Sequence, residues 1–165
     1  MEISKLANVH LNNYSVAKKI NFSGISSVPN DSFEISSDTK NRKTKVDKII
    51  AEMENTVNAR IDGDIPFRYP QIFKNRIMNG EFKFGDWEIS TGKFFVATQM
   101  KALEEKFGIR NLVPFATQEN SNILACFVSD KDNSGKVVEF DAYGSPDNIN
   151  LVKYDNFEEW VFKKL

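Results

Sequence analysis

Apolar residues recur at helical spacing over Val46–Arg60. Val46, Ile49, Ile50, Met53 and Val57 share one face, and Asp47, Lys48, Glu52 and Glu54 take the other, which predicts an amphipathic helix. Ile61-Asp62-Gly63-Asp64 ends it, with Gly63 available for a left-handed turn. A second helix is predicted over Pro66–Met78. Pro66 or Pro70 suits its first turn, where the missing N–H has no helical partner anyway, and Asn79-Gly80 stops it. Phe82–Thr91 alternates in part and reads as a strand or hairpin. Val96, Met100, Leu103 and Phe107 mark a third helix, closed by Gly108. Ile123–Val128 is apolar at every position, as expected of a central strand covered on both faces. Asp130–Gly135 turns the chain, and Val138, Phe140 and Ala142 then alternate with Glu139 and Asp141 in a half-exposed partner strand. Asp155 is placed to cap a last helix, with Glu158 three residues on, while Phe157, Trp160 and Val161 face inward. Lys163 and Lys164 suit the negative end of that helix. Helices come first and paired strands later. The expected fold is therefore α+β, a single small domain with an antiparallel or mixed sheet packed by helices.

Residues 1–44 follow no such period. Asn, Ser and Lys dominate, Gly24, Pro29 and Asn30 punctuate the middle, and Ser36–Lys43 is polar throughout. That composition buries too little apolar area to offset the entropy of ordering. The expected organisation is a flexible tail over 1–44 and a domain over 45–165. Phenylalanine agrees with this division, because most of the 14 residues of that type fall after position 66.

Charge and composition then remove several function classes. The net charge of −1 gives no bulk field to attract nucleic acid or an anionic membrane. No apolar run approaches a membrane span, and Met1-Glu2-Ile3-Ser4-Lys5 does not open a signal peptide. Cys126, the single cysteine, fits a reducing cytoplasm. It lies mid-strand, where a thiol is inert, and the only histidine, His10, falls in the tail. No Cys–His nucleophile and no zinc ligand set is therefore expected, nor any cofactor or catalytic residue. Gly85–Lys93 ends in Gly-Lys but fails the phosphate-loop pattern, because Phe94 stands where a hydroxyl must meet magnesium.

Two features point to binding. Asp130-Lys131-Asp132-Asn133-Ser134-Gly135 through Asp141 approximates a calcium loop, with Asp130, Asp132, Ser134 and Asp141 at ligand positions. Those residue types also build a hairpin turn, the reading preferred here, with no metal expected. The C-terminal third carries an excess of Asp and Glu that would attract a basic partner if several share one face. Trp87, Asp130, Asp132, Glu139 and Asp141 are the candidate partner-binding residues, with Trp87 as the surface anchor and Trp160 as a packing residue.

Several segments in order resemble the SUKH superfamily, which includes bacterial toxin-immunity proteins and a fungal regulator of cell-wall synthesis. They are Ile65-Pro66-Phe67-Arg68-Tyr69 through Asn79-Gly80, Leu112-Val113-Pro114-Phe115-Ala116, the strands Ile123–Val128 and Val137–Ala142, and Phe157-Glu158-Glu159-Trp160. The resemblance covers about residues 46–165. It implies a non-enzymatic α+β module that binds another protein and acts in the cytoplasm. The usual partner in bacteria is a toxin domain of nuclease or deaminase type, with no direct contact to nucleic acid or membrane. A regulatory interaction module is the alternative, and a calcium-binding protein using residues 130–141 is a third.

Overall fold

A computed structural model describes residues 34–61, 63–146 and 151–165. Its elements, in chain order, are α1 (Glu34–Asn58), α2 (Gln71–Asn79), β1 (Lys83–Phe84), β2 (Trp87–Ile89), α3 (Lys93–Phe107), β3 (Leu112–Gln118), β4 (Ile123–Val128), β5 (Val137–Asp141), β6 (Leu151–Tyr154) and α4 (Phe157–Lys164). The strands form one sheet in the order β1-β2-β3-β4-β5-β6, antiparallel at every junction. The fold is α+β, and from Ser37 onward these elements belong to one compact unit, Ser37–Leu165.

The strict alternation of β4 organises two cores. Ala125 and Phe127 point to the larger one, where Met53 and Val57 of α1, Phe73 and Ile77 of α2 and Phe157, Trp160 and Val161 of α4 meet the sheet. Leu124 and Cys126 point the other way, to a smaller cluster with Leu103, Leu112, Val138 and Phe140. The strand is thus covered on both faces, as its unbroken apolar run predicted. Aromatic rings fill the larger core. Phe73 stacks on Tyr69 at 5.0 Å and meets Phe115, Phe127 and Phe157 edge-on at 5.3–5.6 Å.

Pro114 lies in an interior strand, where a missing donor normally breaks the ladder. Here β2 pairs only with Ala116–Gln118, so Pro114 has no strand beside it on that side. A bulge between Pro114 and Ala116 shifts the register against β4 at the same place. The α3 helix packs on β3 and adds Val96 and Met100 to one core and Leu103 to the other.

Local signals decide the helix ends. Gly80 and Gly108 take left-handed conformations (φ 80° and 68°), and their N–H groups close the last turns of α2 and α3. The α4 cap sits one residue later than expected. Asn156, not Asp155, accepts the Glu159 N–H at 2.9 Å, and the Glu159 carboxylate accepts the Asp155 N–H at 2.8 Å. This is a variant of the capping box in which the Glu carboxylate takes the N–H of the residue before the cap.

The α1 helix starts at Glu34, twelve residues before the apolar spacing begins. Residues 34–44 of the expected tail are therefore helical, propagated from the packed half of the same helix, because extending a helix is far easier than nucleating one. The rest of that tail, with His10, lies outside the described residues. No helix among the described residues is long and apolar enough to cross a membrane.

Candidate functional site

The five residues expected to face a partner do not share a surface. Trp87 is only 1% exposed. Its ring meets Trp160 edge-on at 5.4 Å, so the expected surface anchor is a core residue. Alternation along a strand told which face Trp87 occupies but not that α4 covers it.

Glu139 corrects the same expectation. It is 9% exposed and lies on the larger-core side of β5, beneath α4. One carboxylate oxygen, Oε1, accepts the Trp160 indole N–H and the Tyr154 hydroxyl, each at 3.0 Å, and pairs with Lys164 Nζ. Burial works against the charge of Lys164, but the hydrogen bonds to Glu139 and Tyr154 raise its pKa above the usual lysine value. The Lys164 ammonium also lies over the rings of Trp87 and Tyr154, at 5.2 and 5.3 Å. Glu139 is an internal counter-ion that fastens α4 to the sheet.

Asp130 and Asp132 lie in the β4–β5 turn, and Asp141 lies at the far end of β5, paired with Ile123. The extended backbone from Val137 to Asp141 separates the two ends by about 13 Å. A calcium loop must curl these positions around one ion, so the hairpin reading holds here. Asp130 receives the Ser134 N–H at 2.9 Å and the Ser134 hydroxyl within its own loop. Burial raises its pKa, but the bonds from Ser134 outweigh this and lower it. Asp141 receives the Tyr143 and Gly144 N–H groups at 2.9 and 3.1 Å. Asp132 and Asp141 remain exposed, at opposite ends of the hairpin. No group of three or more His, Cys, Asp or Glu residues suited to a metal occurs among the described residues. Cys126 is fully buried in β4, and burial pushes its thiol pKa up.

A second buried carboxylate escaped the periodicity argument. Glu54 was expected on the polar face of α1, yet it is 4% exposed. It lies four residues after the buried Ile50, and that spacing was the available signal. Its Oε2 accepts Arg68 Nη1 at 2.7 Å, and its Oε1 meets Lys74 Nζ at 2.8 Å and the Tyr69 N–H at 3.0 Å. Burial raises the Glu54 pKa, but Lys74, Arg68 and the Tyr69 N–H more than offset this and hold it below the ordinary glutamate value.

The same clasp orders the strand-like segment before α2. Three successive backbone N–H groups, of Phe67, Arg68 and Tyr69, are accepted by Asn58, Asn133 and Glu54. The side-chain amides of Asn58 and Asn133 also donate to the carbonyls of Phe67 and Pro66, both at 3.2 Å. Side chains from α1 and the β4–β5 turn thus take the place of neighbouring strands. The turn's Asn and Asp content serves this docking.

The sheltered carboxylates are spent on cations of their own chain, while large apolar side chains stand outside. Phe94, at the start of α3, is 74% exposed, and Phe162 of α4 is 76% exposed. No protein-family model, curated protein or solved structure matches this chain.

Proposed function

We propose that the chain is a protein-binding module that acts as an immunity protein, neutralising a bacterial toxin domain by direct contact in the cytoplasm of the producing cell. The observation that carries the reading is the exposure of Phe94 and Phe162. Each offers a large rigid ring whose burial against a partner would contribute to binding without any rearrangement of the core. The order of segments that resembles the SUKH superfamily supports the immunity role. In this reading the buried pairs of Glu54 and Glu139 hold the scaffold, and contact is made by side chains outside it.

The test purifies the products of the genes adjacent to this chain's own, assays them for toxicity, and measures whether this chain binds and inhibits a toxic one. Binding that blocks the toxin's activity is expected. Phe94→Ala or Phe162→Ala should weaken it at least tenfold, equivalent to about 1.4 kcal/mol, with no change in thermal midpoint. A toxin that is neither bound nor inhibited removes the immunity reading. Binding unchanged by both substitutions places the interface away from these rings.

A further inference from the structure

We infer that the outward face of α1 between Lys40 and Lys48 docks onto an acidic patch of a folded protein partner. Over residues 39–48, five basic side chains stand against one carboxylate, Asp47, so the rest of the chain together carries −5. The near-neutral total hides this segregation. The buried side of the helix is set by Val46, Ile50 and Met53. A period of 3.6 residues puts Lys40, Asn41, Thr44, Lys45 and Lys48 on the opposite side, and all five are exposed. Lys40 to Lys48 spans about 12 Å of helix.

Among the described residues the cations of this face are not paired. Lys74, Lys83, Lys93 and Lys164 are each paired with a carboxylate. Lys40, Lys45 and Lys48 pair with no carboxylate of the described residues. Glu52, the next carboxylate along the face, is held by Lys93 at 3.3 Å. The turns that carry these lysines bury no apolar side chain before Val46. Their outward groups are solvated donors that can exchange water for carboxylate oxygens without breaking any contact of the fold.

A protein patch fits better than nucleic acid. Duplex DNA is stiff and would run on past this face over a body of net negative charge, where repulsion opposes it, whereas a compact patch or a flexible acidic chain is not held there. Neither a guanidinium fork nor an aromatic ring lies on the outward face, the groups that grip phosphate and stack on bases. A compact acidic patch meets the lysines and leaves the rest of the surface free. The inference holds whether or not the partner is a toxin.

The test is direct binding of the whole chain to a labelled polyglutamate of about 20 residues, at about 20 and 150 mM salt. Salt-sensitive binding is expected. The triple variant Lys40→Glu, Lys45→Glu, Lys48→Glu should weaken it at least ten times more than the control triple Lys131→Glu, Lys153→Glu, Lys163→Glu, which makes the same change in net charge. Both triples alter exposed residues, and circular dichroism checks that each is folded. Equal weakening by the two, or no binding by the wild-type chain, overturns the inference. Tighter binding to duplex DNA of about 20 base pairs than to polyglutamate overturns it in favour of nucleic acid.

Discussion

Tyr69 occupies the centre of the aromatic core, stacked on Phe73 and edge-on to Phe67 and Phe127. Its hydroxyl oxygen is buried and has no hydrogen-bond partner among the described residues. Burial, with Glu54 and Cys126 nearby, drives its pKa upward, so it stays a neutral phenol. A buried hydroxyl without a partner carries a desolvation cost, while the ring keeps all of its packing. Tyr69→Phe should therefore leave stability within about 0.5 kcal/mol or raise it by up to about 1 kcal/mol in urea denaturation. A loss above about 1 kcal/mol would show that the hydroxyl is satisfied. Trp160 makes the contrast. Its indole N–H is spent on Glu139, so its ring and its polar edge both hold α4 in place.

At the scale of elements, β4, α3 and the inward face of α4 were legible because their apolar spacing has one interpretation each. Other features were not. The polar start of α1 has no period to read, since it is helical through the cooperativity of a helix packed further along. Strand β6 is four residues with no buried position and no alternation, too short to stand out from a loop. Trp87 and Glu139 are hard to place from sequence, because alternation gives a residue's face and not what covers that face. Glycine positions sort by the same logic. Gly85 closes the β1–β2 turn at φ 58°, and a Cβ there would collide with the carbonyl oxygen of Lys164. Gly108 has a similar φ of 68° but open space around it. Gly108→Ala should cost about 1 kcal/mol, the conformational penalty alone. Gly85→Ala should cost at least about 1 kcal/mol more, because α4 must move off the turn. Thermal midpoints of the two variants decide this, and equal losses would mean that the end of α4 yields freely.

At the scale of the whole molecule, two buried carboxylates among the described residues connect different elements. Glu139 ties α4 to β5 and β6, and Glu54 ties α1 to the segment that leads into α2. Neither cation set belongs to the same element as its carboxylate, so each pair fixes how elements meet. The Glu54 pair has a consequence in acid. Its pKa is lower in the folded chain than in the unfolded one, so the unfolded state binds the proton more readily. The stabilisation is complete above the unfolded glutamate range and is lost as pH falls through the folded value. Glu54→Gln keeps the shape but removes the charge that Arg68 and Lys74 share, and should cost about 2–3 kcal/mol at pH 7. That deficit should narrow below about pH 4.5, because the wild-type carboxylate is then being neutralised as well. Urea denaturation of both proteins from neutral pH down to about pH 3 measures the difference directly, and subtracting one curve from the other cancels the exposed carboxylates they share. A deficit constant across that range would mean that Glu54 acts through shape and hydrogen bonding alone, leaving the charge of the clasp without a part in holding α1 to the segment that leads into α2.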